Sequence, residues 1–378
     1  MLLHLCTVED WAHAERAGGV DPLPDVGFVH LSTPEQVHLP AQRLFAGRDD
    51  VLLLVVDPAR LTDPVRFEPG VPGDPASMLF PHLYGRLPAT AVVAVLLWEP
   101  DRRPPVPTAD DAAGRYAALA LSLPVRRAHA CGDPVARRGA GWAVGSPDHP
   151  VSRDDNRLLL PVPVDAEAVL ADAAPLVPTA AASVTWCWPG APDDAARLAH
   201  DLERRGWRVG ADRVLARAVP AAGEPTGPAE LLAQREVHDL WADSWRELLP
   251  DDPAAIAQLV GREHRNDLAL RVLDVGVREA GRVVAAGQLR VDGGTAAVES
   301  LQTATGHRGR GLAGAVLDRL LDEAAVAGCD LAVLEAAAED WPRHWYARRG
   351  FVDVGVTRTA TRTTTRTGQA GTSQASSR

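Results

Sequence analysis

Val298-Glu-Ser-Leu-Gln-Thr303, Ala304-Thr-Gly-His307 and Arg308-Gly-Arg-Gly-Leu-Ala313 follow one another without a gap and lead into Gly314-Ala-Val-Leu-Asp-Arg-Leu-Leu-Asp-Glu-Ala324. The periodicity reads as strand, turn, helix. The glycines let the backbone of such a turn curl with its amides pointing inward, and the first turn of the helix adds positive potential. A pyrophosphate fits that environment, and Arg308 and Arg310 can add charge. A glycine-rich turn is weak on its own, because strand-to-helix turns carry glycine for geometric reasons alone. The residues that follow supply the context.

Asp330-Leu-Ala-Val-Leu-Glu335 reads as the next strand, and Trp345-Tyr-Ala-Arg-Arg-Gly-Phe351 as a helix-to-strand junction. In that order, Arg-x-x-Gly-x-Ala at Arg308, Gly311 and Ala313 resembles the CoA pyrophosphate loop of the GNAT acetyltransferase superfamily, over about Glu230 to Val356. The resemblance implies a GNAT fold, a mixed, mostly antiparallel twisted sheet flanked by helices in an α/β domain. It also implies transfer of an acetyl or other acyl group from acetyl-CoA to an amine of a small molecule or a protein. On this resemblance the backbone at Leu301, Gln302 and Thr303 serves the pantetheine arm. Arg308, Gly309, Arg310, Gly311, Leu312 and Ala313 serve the phosphates, and Tyr346 returns a proton to the departing thiolate.

Tyr346 also reads as a half-buried packing aromatic. Glu299 is the candidate base, on a strand where the family often places a carboxylate, although a solvated strand glutamate fits the pattern as well. Strict alternation puts it on the face of Leu301 and Thr303. His344 is a second candidate base. Many relatives carry an asparagine about two turns before the tyrosine, whereas this chain has Glu339-Asp-Trp-Pro342. Pro342 is expected to open the helix with Asp340 as its cap.

The preceding two thirds divide by composition. Residues 1–99 hold short β-branched runs at Val51–Asp57 and Ala91–Trp98 and read as a small α+β domain. Residues 100–107 form a proline-rich linker, 108–219 an auxiliary domain, 220–229 a second linker, 230–356 the CoA-binding domain and 357–378 an unstructured tail. The auxiliary domain is expected to open with a helix at Asp110–Leu121 and to carry a strand at Val184–Trp188. A helix at Asp193–Gly206 and a strand pair from Trp207 to Ala218 follow. It lacks a phosphate loop and resembles the degenerate first half of tandem acetyltransferase-like proteins. Trp142, Trp186 and Trp188 read either as core anchors or as walls of the acceptor pocket.

Leu3-His4-Leu5, Gly27-Phe-Val-His-Leu-Ser-Thr-Pro-Glu-Gln-Val37 and Phe80-Pro-His-Leu-Tyr-Gly85 resemble a bacterial domain family of unknown function, DUF952. His4, His30, Ser32, Gln36, His82 and Tyr84 could then converge on one pocket, or simply satisfy strand ends and turns. Kinship of that family with ADP-ribosyltransferase-like folds leaves an NAD site open there. A second functional reading follows, in which the CoA domain is a sensor acting through the N-terminal domain.

With 378 residues, 46% hydrophobic and 24% charged, the chain is long enough for two or three cores and has no membrane-length apolar run. A soluble, cytoplasmic protein is expected. The formal charge of −11 argues against nucleic acid and suits a cationic amine. The four cysteines lack metal-ligand spacing, so neither a metal nor a disulfide is expected. Every one of the 39 basic residues is arginine.

Overall fold

The computed structural model describes residues 1–70, 78–102, 105–223, 227–338 and 341–362. The run Val51–Val56 is buried at all six positions because it is the middle strand of three. It pairs antiparallel with Leu2–Thr7 on one side and Val92–Leu97 on the other. Helix Val8–Ala17 follows the first strand. Thr7 and Asp10 cap it reciprocally, and Gly18, at φ 86°, ends it. Strands Val29–His30, Leu79–Leu83 and Val65–Pro69 form a second small sheet.

The helix expected at Asp110–Leu121 runs instead over Ala112–Cys131. Its apolar stripe continues through Leu123, Val125 and Ala128, and the first residue able to stop it in the left-handed region is Gly132, at φ 70°. This helix lies against strand Val92–Leu97 on one side and under a large sheet on the other, so one apolar core runs from Trp11 through Val125 to Trp142.

That sheet has eleven strands. Across it lie Glu230–Leu232, Arg271–Glu279, Arg282–Asp292, Thr295–Thr303, Leu331–Ala337, Arg208–Ala218, Val352–Arg362, Ala182–Trp186, Arg157–Leu160, Trp142–Val144 and Val135–Arg137. All neighbours are antiparallel except Thr295–Thr303 with Leu331–Ala337 and Arg157–Leu160 with Ala182–Trp186. The stretch Arg208–Ala218 is a single strand, not the expected pair. Gly210 does not turn, because it pairs with Thr359 of Val352–Arg362 and that strand holds the backbone extended. The strand lies between two strands of the C-terminal part, and Val352–Arg362 reciprocates by pairing with Ala182–Trp186. The linker expected at 220–229 therefore does not separate two sheets. Residues 357–362 of the expected tail belong to this last strand, with Thr357 buried, and 363–378 lie outside the described residues.

The turn Asp292-Gly293-Gly294-Thr295 reaches into the seam between helix Ala112–Cys131 and the N-terminal domain. A side chain on Gly293 would collide with the Val92 carbonyl. Arg126 meets Asp292 in a two-pronged pair at 2.8 and 2.9 Å, with both side chains buried. Arg115 donates to the Gly294 carbonyl at 3.0 Å, to Thr295 Oγ1 at 2.9 Å and to Asp330 at 2.8 Å. Arg60 of the N-terminal domain reaches the same carboxylate at 2.9 Å. The burial and crossed bonding make the three regions one body.

Two outcomes follow from this architecture. Limited proteolysis within 220–229 should nick the chain without releasing a fragment, because Arg208–Ala218 stays hydrogen-bonded on both edges; size exclusion of the nicked protein should show one peak until denaturant is added. Asp292→Ala leaves a buried guanidinium unpaired and should cost about 3–5 kcal/mol, read from the urea midpoint.

Candidate functional site

Strands Thr295–Thr303 and Leu331–Ala337 pair only through residues 295–297 and 331–333. Beyond that they part, and the freed edge of 298–303 opens a gap through the sheet. Across the other edge of Thr295–Thr303, Gln288 faces Glu299 while Ala286 faces Gln302, so one strand carries an extra residue. Ser300 is that residue, at φ 52°, and it forms a bulge. The bulge breaks strict alternation. Glu299 lies on the face of Gln302, not that of Leu301 as expected, since Leu301 packs with helix Leu312–Val326 and Ala286 with the helix His238–Leu248 on the opposite face.

On the Leu301 face lies a cleft of about 700 Å³. Leu301, Gln302, Thr303, Arg308, Gly309, Gly311, Leu312, Ala313 and Tyr346 all line it, so it gathers most of the residues singled out in the sequence. Gly309 and Gly311 have φ 76° and 80°, and a Cβ on either would meet nothing within 4 Å. The backbone is thus bared toward the cleft at the start of Leu312–Val326, a cradle that suits a diphosphate. The Arg310 side chain does not line the cleft. Its guanidinium turns away to Glu279 at 2.7 Å. Arg349 does line the cleft. It stacks on Trp345 at 4.1 Å and lies so close to Gly314 that a side chain there would strike it. His307 is a further wall residue. No sequence signal marked either one, because arginine and histidine at a helix end are ordinary surface residues.

Pro342 opens the helix Pro342–Ala347 as expected, while the proposed cap Asp340 lies outside the described residues. That helix buries Tyr346 against Phe351 and leaves His344 exposed. Burial, then the Glu299 charge, pushes the Tyr346 hydroxyl up to about 12, so it stays protonated at neutral pH.

On the opposite face, Glu299 and Glu335 stand on the two strands that part. Solvent reaches both, although protein atoms crowd around them. Crowding raises Glu299, which Arg290 Nη1, 3.9 Å away, opposes. Glu335 is pushed up to about 7 by burial and by the neighbouring Glu299 and Asp212, against the hydroxyls of Thr357 and Tyr116. Glu335 is a titratable group that the sequence reading did not single out; its strand was recognised, but its facing depends on where the strands part. Beside the bulge, a recess of about 290 Å³ between Trp241, Trp245 and Glu263 shares Leu301 and Gln302 with the larger cleft. Trp142, Trp186 and Trp188 are buried anchors whose indole N–H groups donate to Glu99, Ala195 and Leu160.

Residues 235–351 match the acetyltransferase (GNAT) family model, and residues 5–95 the family described as protein of unknown function, DUF952. The C-terminal part of the chain is a GNAT acetyltransferase domain. Its mixed, mostly antiparallel sheet with flanking helices is the GNAT fold. Among solved structures, a GCN5-related N-acetyltransferase from Kribbella flavida is 20% identical, covering 66% of this chain and 95% of its own, with a TM-score of 0.46. A predicted acetyltransferase with acetyl-CoA from Clostridium acetobutylicum is 21% identical over 33% and 89%, with a TM-score of 0.27. A Caulobacter crescentus protein is 26% identical over 26% and 85%, with a TM-score of 0.23. No curated protein matches the chain.

In the DUF952 domain the expected residues meet at His30, whose ring lies 5.0 Å from that of His82 and 4.9 Å from that of Phe28. His4 Nδ1 bonds the His30 carbonyl at 2.8 Å, and His4, His30 and Ser32 line a recess of about 640 Å³. His82 and Tyr84 turn to Glu68 and to the Phe28 ring, while Gln36 donates to the Leu79 carbonyl. The recess carries Glu9, Asp10 and Asp21, and an adjoining one that shares His30 and Ser32 carries Arg43. Among the described residues no helix is long and apolar enough to cross a membrane, and no group of ligands is placed to hold a metal.

Gly311→Glu should abolish acetyl-CoA binding, because its carboxylate would project into the open cradle and repel the diphosphate. Calorimetry on the folded variant reads this. Undiminished affinity would assign the glycines a purely geometric role.

Proposed function

We propose that the GNAT domain transfers an acetyl group from acetyl-CoA to an amine, with Glu335 receiving the proton of the amine and Tyr346 supplying one to the departing sulfur. One observation carries the reading: the gap between the parted strands has a carboxylate near neutrality on one face and a protonated phenol on the other. The bound thioester would supply the electrophile. The backbone edge at Leu301, Gln302 and Thr303 is available to hold the pantetheine arm, and the bared amides from Gly309 to Ala313 the diphosphate.

An amine reaching the gap from the Trp241 and Trp245 side meets Glu299 and Glu335 first. An ammonium is attracted there, since Glu299 and Asp212 add negative charge. Glu335 can take the proton because its affinity lies close to ambient pH, where a base both binds and releases protons readily. Glu299, beside Arg290, is better placed to hold the cation than to accept from it. Tyr346, above its usual range, is a weak acid in solution but becomes a competent donor as charge builds on sulfur. The acidic lining favours a cationic acceptor, whether a small molecule or an exposed protein amine.

The two roles separate in kinetics. Tyr346→Phe should leave acetyl-CoA affinity nearly unchanged and lower turnover by roughly two to four decades. In the parent, kcat/KM should rise as pH climbs through about 7, because Glu335 accepts a proton only once ionised. Glu335→Gln should remove that limb and leave only the titration of the amine itself. A variant of Tyr346 that turns over like the parent would make the tyrosine packing, and a limb surviving in Glu335→Gln would move the base elsewhere.

A further inference from the structure

A separate cavity of about 360 Å³ lies where the N-terminal domain, the helix Ala112–Cys131 and the auxiliary region meet. It is remote in sequence from the acetyl-transfer cleft and shares no lining residue with it. Its size falls within the usual range for small-molecule sites. The helix contributes the small residues Ala117 and Ala118 to its lining, while Gly114 lets Asp111 and Pro107 pack close against the helix. Five prolines, among them Pro107 and Pro163, and the Trp188 ring form the remaining wall. Such a wall loses little side-chain freedom when covered, since proline has no rotamers to freeze and Trp188 is already pinned by its bond to the Leu160 carbonyl.

The polar groups limit what can enter. No arginine or histidine lines the cavity, so an anion finds no partner. The carboxylates present are already engaged: Glu99 accepts from Trp142 Nε1 at 2.9 Å and has Arg102 at 3.7 Å, and Asp111 caps the helix through the Gly114 amide at 2.8 Å. A cation would therefore be desolvated without a free counter-charge. Ser122 is different. It is 1% exposed, lies on the cavity floor, and its hydroxyl has no hydrogen-bond partner. An orphaned buried hydroxyl is costly, and one χ1 rotation can turn it to a ligand.

We infer that this cavity is a binding site for an uncharged aromatic molecule bearing a single N–H or O–H, with the ring against the prolines and Trp188 and the polar group at Ser122. The ligand is distinct from the acyl acceptor.

N-phenyl-1-naphthylamine is a suitable probe: it is uncharged, aromatic, carries one N–H, and brightens in apolar surroundings. Titrated into the full-length protein, it should bind with one-site stoichiometry and keep its affinity under saturating coenzyme A. Gly190 lines the cavity and an added Cβ there meets nothing within 4 Å, so Gly190→Trp should fold, fill the space and abolish the signal. Ser122→Ala should keep the probe fluorescent while weakening it roughly three- to tenfold, the worth of one hydrogen bond. The inference is overturned if coenzyme A displaces the probe, if Gly190→Trp leaves binding intact while its circular dichroism matches the parent, or if Ser122→Ala binds as well as the parent.

Discussion

Everything in this molecule leans on the grip that two buried arginines of one helix exert on a tight turn of the large sheet. Arg126 closes on Asp292, and Arg115 spans Gly294, Thr295 and Asp330, which Arg60 also holds. Taking such charges out of water costs several kcal/mol each, and two-pronged pairing with a carboxylate offsets most of it even though Arg126 Nε has no partner. Guanidinium meets that demand and ammonium does not, so a chain without lysine is well supplied for it. The turn can approach so closely because two glycines occupy it. The same sheet strands that the turn connects, Arg282–Asp292 and Thr295–Thr303, run from the grip to the bulge at Ser300, so the catalytic end is fixed by contacts made at the far end.

The second constraint is reciprocal. Arg208–Ala218 completes the sheet of the GNAT domain, and Val352–Arg362 completes that of the auxiliary region. Each half lends its last strand to the other. Both edges that would otherwise lie open are thereby paired, and the wall on which Glu335 stands is flanked by a strand from outside the matched segment.

The sequence made the cofactor side of the site legible and the acceptor side largely obscure. Glycines at 309 and 311 speak locally, because positive φ at a helix start is a demand on single residues. Tyr346 and the helix opened by Pro342 are likewise local. Glu299 was found but turned to the wrong face, since a bulge depends on register between strands rather than on alternation within one. Glu335 was hidden for a related reason: its altered affinity comes from Glu299, Asp212 and burial beside Tyr116, groups that meet only after folding. The stretch 207–218 read as a strand pair, and only pairing with strands distant in sequence keeps it a single strand. Trp142, Trp186 and Trp188 carried no positional information beyond being large and apolar, and proved to be anchors.

The lent strands bear on how the chain is made. Arg208–Ala218 leaves the ribosome long before Leu331–Ala337 exists, and at synthesis rates of about 5–20 residues per second the delay is on the order of ten seconds. During that interval the auxiliary region has an unfilled slot and a strand with bare edges on both sides. A nascent chain in that state is a template for pairing with its neighbours on the same message, and the net negative charge of residues 1–99 opposes such pairing.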